Sequence, residues 1–132
     1  MLTKKEQMKR HTKYVSQLTK TLGGLAFYHA PFDIIDKNGN FYEVKCPSDR
    51  LGKHKGECRI SISEDELKFG EMVFPYTIVI FFNGQRFDIP FRDLRERIIR
   101  NKVSKTQYGA SSILKRQVTI GKKFLSRYTF PD

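Results

Sequence analysis

Met8, His11, Val15, Leu18 and Leu22 recur at steps of three and four, which is the period of a helix with one buried stripe. Thr3-Lys4-Lys5-Glu6 ahead of the stripe fits a capping box, and Gly23-Gly24 behind it supplies a stop. The spacing therefore predicts a helix from about Lys4 to Leu22, with Lys9, Arg10, Lys13 and Lys20 on its outer face. Leu25 to Tyr28, Phe32 to Ile35 and Phe41 to Cys46 are filled by apolar, β-branched and aromatic residues and read as strands. Pro47 to Glu57 is polar and basic with two glycines, so it reads as a loop.

Arg59 to Ser63 alternates with the period of a strand, and Ser63-Glu64-Asp65-Glu66 is a second capping box that opens a helix to about Phe69 or Gly70. Tyr76 to Phe82 is a continuous apolar run, expected at the centre of a sheet and covered on both faces. Asn83-Gly84 is a hairpin turn into Gln85 to Ile89, where Pro90 breaks the strand. Phe91, Leu94, Ile98 and Ile99 share a helical face. Past Asn101 the pattern weakens, and the expectation is a helix over Ser111 to Val118 and an edge strand over Phe124 to Phe130. The fold class that follows is mixed α/β (α+β), a central mixed sheet of about five strands flanked by helices.

One hairpin carries more charge than its strands require. Glu43 and Lys45 project from one face of their strand, and Tyr42, Val44 and Cys46 from the other. Whether Asp33 joins them depends on the turn. A two-residue Asn38-Gly39 turn pairs Asp33 with Val44 and sends it to the opposite face. A three-residue Lys37-Asn38-Gly39 loop, with Gly39 left-handed, pairs Asp36 with Asn40 and puts Asp33 opposite Glu43. Asn-Gly suits either turn. With convergence, Asp33 and Glu43 offer hard oxygens to one Mg2+ or Mn2+, and the Val44 carbonyl offers a third. Lys45 is then placed to orient an attacking water or stabilise a phosphate.

Charge supports chemistry on phosphates. The chain has 132 residues and a formal net charge of +11. Residues 1–30 hold six Lys or Arg against one acid, and residues 92–132 hold eleven against three. The segment 31–91 reverses the balance, with eight basic and ten acidic residues. Cationic ends around an acidic centre suit a protein that grips both a metal ion and a nucleic acid, whereas a plain basic binder explains the ends alone. The size suits one domain, residues 1–132, with a basic C-terminal segment from about residue 101. No stretch has the apolar length of a membrane span and the N-terminus lacks the apolar core of a signal peptide, so the expectation is a soluble, cytoplasmic protein. Cys46 and Cys58 match no metal-ligand spacing and read as free thiols.

Pro31-Phe32-Asp33 followed, after a hairpin, by Glu43-Val44-Lys45 resembles the signature of the PD-(D/E)XK nuclease superfamily, and within it the archaeal-type Holliday-junction resolvases. Phe32 departs from the family's pattern, so that only Pro31 and Asp33 match as PxD. The resemblance implies a restriction-endonuclease-like fold and a Mg2+-dependent (or Mn2+-dependent) endodeoxyribonuclease acting on branched DNA or four-way junctions. Asp33, Glu43 and Lys45 are then catalytic, with Asp33, Glu43 and the Val44 carbonyl on the metal. It also implies an acid on the first helix, here Glu6, a residue the capping box explains equally well. Symmetric cutting of a junction needs two active sites, which predicts a homodimer. A restriction-like or homing duplex endonuclease is the alternative within the same chemistry, and a non-catalytic nucleic-acid-binding protein is the alternative outside it.

For the DNA backbone, Lys53, His54 and Lys55 in the loop after the second carboxylate strand, Arg92 and Arg95 on a helix face, and Lys115, Arg116, Lys122 and Lys123 near the C-terminus form the candidate phosphate surface. Tyr108, Tyr128 and Phe130 are candidates for stacking on unpaired bases. His11, on the apolar stripe, reads as a packed or hydrogen-bonded residue, and His29 as structural.

Overall fold

The computed structural model describes residues 3–48 and 52–131; residues 49–51 of the predicted loop, and the side chain of Tyr108, lie outside the described set. The chain runs α1 (Lys4–Leu22), β1 (Leu25–Ala26), β2 (Ile34–Ile35), β3 (Phe41–Lys45), β4 (Cys58–Ser63), α2 (Glu64–Met72), β5 (Tyr76–Phe82), β6 (Gln85–Pro90), α3 (Phe91–Ile99), β7 (Ser104–Tyr108), β8 (Ser111–Ile120) and α4 (Lys122–Ser126). The expected mixed sheet is present, five strands in the order β1-β2-β3-β5-β6. Its β1, β2 and β3 form an antiparallel meander, β3 and β5 are parallel, and β6 returns antiparallel to β5.

A second sheet, which the sequence pattern does not announce, has the order β4-β8-β7 and is antiparallel throughout. It overturns part of the expectation for the C-terminal segment: 111–120 is a strand, not a helix, and Lys122–Ser126 is a short helix where an edge strand was expected to begin, although Thr129 does pair antiparallel with Phe87 at the edge of β6. Ile113, Val118, Thr119 and Ile120 explain the first, since β-branched side chains lose rotamer freedom in a helix and pack well on a pleated surface. Leu125 explains the second, because one turn after Gly121 is enough to bury it.

The large sheet is covered on both faces. Val15 and Leu18 of α1 pack with Ile34, Val44 and Val79 on one face. On the other face Ile78, Ile80 and Ile89 pack against Ile60, Ile62, Val118 and Ile120 of the second sheet, with Leu67, Leu94, Ile98 and Leu125 from the helices. The alternation along β3 therefore sends Val44 toward α1 and leaves Glu43 and Lys45 toward α2.

Helix α1 starts on the Thr3 hydroxyl, which accepts the Glu6 amide at 3.1 Å. It stops at Gly23, whose left-handed φ of 61° lets Gly23 and Gly24 donate back to Lys20 and Thr19. A side chain on Gly24 would run into the Ile35 carbonyl, so the chain can leave α1 and enter the sheet this tightly only with glycine there. Among the described residues no helix is long and apolar enough to cross a membrane.

Candidate active site

The turn between β2 and β3 decides what the hairpin presents. The register pairs Ile34 with Tyr42 and Ile35 with Phe41. The Asp36 amide donates to the Asn40 carbonyl at 2.9 Å and the Gly39 amide to the Asp36 carbonyl at 3.1 Å. This is the three-residue Lys37-Asn38-Gly39 loop, with Gly39 at φ 82°. Asp36 is what selects it: one carboxylate oxygen accepts the amides of Asn38 and Asn40, both at 2.9 Å, and the other accepts the Asn40 side chain and the Tyr42 hydroxyl, both at 3.0 Å. One step beyond Ile34, the Asp33 amide also donates to the Tyr42 carbonyl, at 2.8 Å, so the regular pairing ends before Glu43 and the Asp33 carboxylate turns to the Val44 amide and to His11 of α1.

Beyond Asp33 the two strands part, and a cavity of about 930 Å³ opens where β3 has no neighbour on that side. Asp33, Glu43, Val44 and Lys45 line it together with His11, Lys4 and Lys20 from α1 and Phe27 and Tyr28 from the loop after β1. Asp33 Oδ2 accepts the Val44 amide at 2.8 Å. His11 Nε2 lies 3.2 Å from that same oxygen and 3.1 Å from the Val44 carbonyl. With its proton on Nε2 the imidazole donates to both. The hydrogen bond to Asp33 and the nearby negative charge outweigh burial and raise the His11 pKa.

Glu43 is buried, 8% exposed. Burial raises its pKa well above the usual carboxylate range, against the pull of the Lys45 ammonium, and the negative charges of Glu66 and Asp33 raise it further. Lys45 Nζ lies 3.2 Å from Glu43 Oε2 and 3.0 and 3.1 Å from the two Glu66 oxygens. Burial lowers its pKa; the two flanking carboxylates, Glu66 and Glu43, more than reverse this and keep the ammonium charged. Glu66 is itself buried, yet Lys45, a hydrogen bond with Glu43 and the Ser63 amide hold it down at about 2.

Glu66 is thus part of the constellation, and the sequence reading missed it. The signal was the capping box at Ser63, which is fully formed, with the Ser63 amide donating to Glu66 Oε1 at 2.8 Å. That role accounts for the residue and hides its second one toward Lys45. His11 is the other addition: the stripe that marked it as packed or hydrogen-bonded is what aims it at Asp33.

Whether a divalent cation suits this place is tested by the donors. Asp33 Oδ2 and the Val44 carbonyl converge on one point, which His11 Nε2 occupies, while Glu43 is turned to the Lys45 ammonium. All three are hard oxygens, the donor type Mg2+ and Mn2+ require. Among the described residues no group of three or more His, Cys, Asp or Glu is placed to hold a metal ion.

Glu6 is placed apart from these groups. Its carboxylate accepts the Thr3 hydroxyl at 3.1 Å and it is not among the residues that line the cavity. The candidate DNA contacts are spread over the surface. His54 pairs with Glu57 at 3.2 Å, Arg92 lies over the Phe74 ring at 4.9 Å, and Arg95 faces Glu71 and Glu96. Arg116 is bound to Glu64 and to the carbonyls of Ile99 and Asn101, a strap between the second sheet and the end of α3. Lys122 and Lys123 line a second cavity of about 520 Å³ near Asn83, and Lys53, Lys55 and Lys115 line neither. Of the aromatics, Tyr128 donates to Asp93 and Phe130 packs under Arg86, so both are engaged within the fold. No family model matches the chain, and no curated protein shows significant similarity to it.

Proposed function

We propose that this chain is a divalent-metal-dependent endodeoxyribonuclease of the PD-(D/E)XK type, with branched DNA or a four-way junction as substrate. The observation that carries the reading is that Asp33, Glu43, Val44 and Lys45 line one cleft, with Asp33 near enough for its charge to raise the pKa of Glu43. The order of elements supports it, a helix, an antiparallel meander bearing the acids, and a crossover through α2 to a strand parallel to β3. Asp33, Glu43 and the Val44 carbonyl would hold Mg2+ or Mn2+, which supplies charge neutralisation at the scissile phosphate and acidifies water.

The chain's own groups do the rest. Glu66 keeps Lys45 protonated and aimed, and the Lys45 ammonium offers its protons to a phosphate oxygen as charge develops there. Lys4 and Lys20 on the wall of the cleft attract the backbone that must reach it. Symmetric resolution of a junction requires two such clefts and hence a twofold homodimer.

Labelled four-way junctions, forks and duplexes, incubated with Mg2+, Mn2+ or EDTA, test the reading. The expected result is cleavage by the wild type with metal, none in EDTA, and a Glu43→Gln protein that binds as before and does not cut. Binding without cleavage by the wild type in either metal overturns the nuclease and leaves a binding protein.

A further inference from the structure

Strand β8 is longer than the partner it lies on. Its residues Lys115 to Ile120 pair with β4, which ends at Ser63, while Ser111 to Lys115 pair with β7. Beyond Ser63, among the described strands, the segments 105–108 and 111–114 pair with each other alone. They form a two-stranded arm closed by a turn at Gly109, φ 59°. Four residue pairs at about 3.4 Å each give it a reach of about 13 Å. Its root is fixed, because Arg116 ties β8 to Glu64 and to the carbonyls of Ile99 and Asn101. Ser63, opposite Lys115, donates its amide to Glu66, the partner of Lys45. The arm thus leaves the fold beside the helical turn that aims Lys45.

The arm stands in solvent. Ile113 is 45% exposed and Leu114 50%, and Val103 at its foot is 43% exposed. Lys102, Lys105, Ser111 and Ser112 are exposed as well. Residues 102–115 carry three lysines and no acid, and among the described residues none of the three pairs with a carboxylate. The acids at the root belong to the first turn of α2, and of these Glu64 is taken by Arg116. A two-stranded ribbon gains little from its own ladder in water, so bare apolar side chains on such an arm are completed by what it docks on.

We propose that this arm is a β-ribbon that enters the major groove of duplex DNA. This rests on the nuclease reading for DNA as the ligand and adds a paired stretch flanking the cut to the substrate. Shape and charge name the occupant. The major groove, about 12 Å wide and about 8.5 Å deep, admits a two-stranded ribbon. Lys102 and Lys105 then meet phosphates at its rim, while Thr106, Ser112, Ile113 and Leu114 offer hydroxyls and methyl groups to the base edges. A second copy of this chain fits worse. A twofold pair through the outer strand β7 sets Lys102 and Lys105 against their own counterparts, on chains of net charge +11 each.

The test is fluorescence anisotropy in EDTA with a blunt DNA duplex and an RNA duplex of the same sequence, each over a range of salt. Wild type is expected to bind the DNA duplex more tightly, since the major groove of A-form RNA is too deep and narrow for the arm. The major-groove dye methyl green should displace it, and netropsin, which fills the minor groove, should not. Lys105→Ala is expected to bind the DNA duplex about eightfold more weakly at about 0.1 M salt and to lower the slope of log affinity against log salt by about 0.9, with Lys105→Arg as wild type. Ile113→Asp, which puts an acid on the arm, should lose at least as much, and both variants should melt as wild type does. Equal affinity for the two duplexes, displacement by netropsin alone, or binding that Lys105→Ala and Ile113→Asp both leave unchanged overturns the arm. So does a change from dimer to monomer in Ile113→Asp, which makes the arm a contact between copies. Because binding is read without metal, arm-dependent binding with no cleavage in Mg2+ or Mn2+ sinks the nuclease alone. Metal-dependent cleavage with a KM that both variants leave unchanged sinks the arm alone.

Discussion

The Lys45 ammonium lies 3.0 Å from Glu66 Oε2, linking the strand that carries the motif to the first turn of the helix packed on it. With Glu43 on its other side at 3.2 Å, Lys45 neutralises two carboxylates that burial would otherwise set against each other. Removing the cation should cost more than removing either anion. Lys45→Met leaves two buried acids facing each other without their cation, and the expected loss is about 3–5 kcal/mol. Glu66→Gln should cost less, and the double variant should be more stable than the two losses added together predict, by a coupling of about 1–3 kcal/mol. Urea denaturation of the four proteins measures this. Strict additivity would mean that the pair does not interact.

The loop 37–39 sets the register of the hairpin that leads to Asp33, and Asp36 sets the loop. Asp36→Ala removes four acceptor contacts at once. It should therefore lower both stability and cleavage, since the hairpin loses what discriminates between its two turns. Gly39→Ala acts differently. It puts a β-carbon on a residue at φ 82°, which costs about 1–2 kcal/mol, but nothing lies within 4 Å to be displaced. Stability should fall with the cleavage rate at 25 °C unchanged. A Gly39→Ala protein that is stable and inactive would contradict this account of the register.

Burial pushes the Cys58 thiol up from its ordinary 9.0 to about 12, and the Cys46 thiol to about 11. The reactive species is the thiolate. At pH 8 the native protein should therefore alkylate at Cys58 roughly a thousandfold, and at Cys46 roughly a hundredfold, more slowly than the unfolded chain. The sign for stability follows. The native state keeps the Cys58 proton above pH 9, where the unfolded chain releases it, so stability falls as pH rises from about 9 toward 12. Mass spectrometry after iodoacetamide, with and without urea, checks the first point. Rapid native labelling of Cys58 would show that the two sheets do not seal it.

Elements with a long, clean period were legible in the sequence. The stripe of α1 and the apolar run of β5 each have one physical solution, and both stand where the pattern put them. The hairpin turn was half legible, because Asn-Gly satisfies two loop lengths. The deciding interaction is the Asp36 carboxylate folding back on its own turn, which no hydrophobic pattern records. Strand β8 was misread because its polar stretch around Lys115-Arg116-Gln117 interrupts the alternation. It is a strand because β4 offers it a partner over six residues, and that information is tertiary. At the site, Glu66 and His11 were visible as residues with local explanations. Their reach toward Lys45 and Asp33 depends on how α2 and α1 lie on the sheet.

The pairing of β8 with β4 also predicts what the C-terminal segment is for. A basic tail that only binds phosphates could be removed without loss of fold. Here 102–132 contributes Val118, Ile120 and Leu125 to the core between the sheets, each at most 2% exposed. Three such side chains account for roughly 5–9 kcal/mol of burial, comparable with the whole stability of a domain this size, about 5–15 kcal/mol. Removal would also strip β4 of its ladder from Cys58 to Ser63 and expose its edge. A chain ending at Asn101 should therefore fail to fold, with no cooperative transition in circular dichroism on heating. The single substitution Val118→Ala, which keeps the ladder and opens a cavity, should lower stability by about 1–3 kcal/mol and leave the transition cooperative. A truncated protein that melts cooperatively would show that the five-stranded sheet and its helices are a folding unit on their own, with the second sheet an appendage.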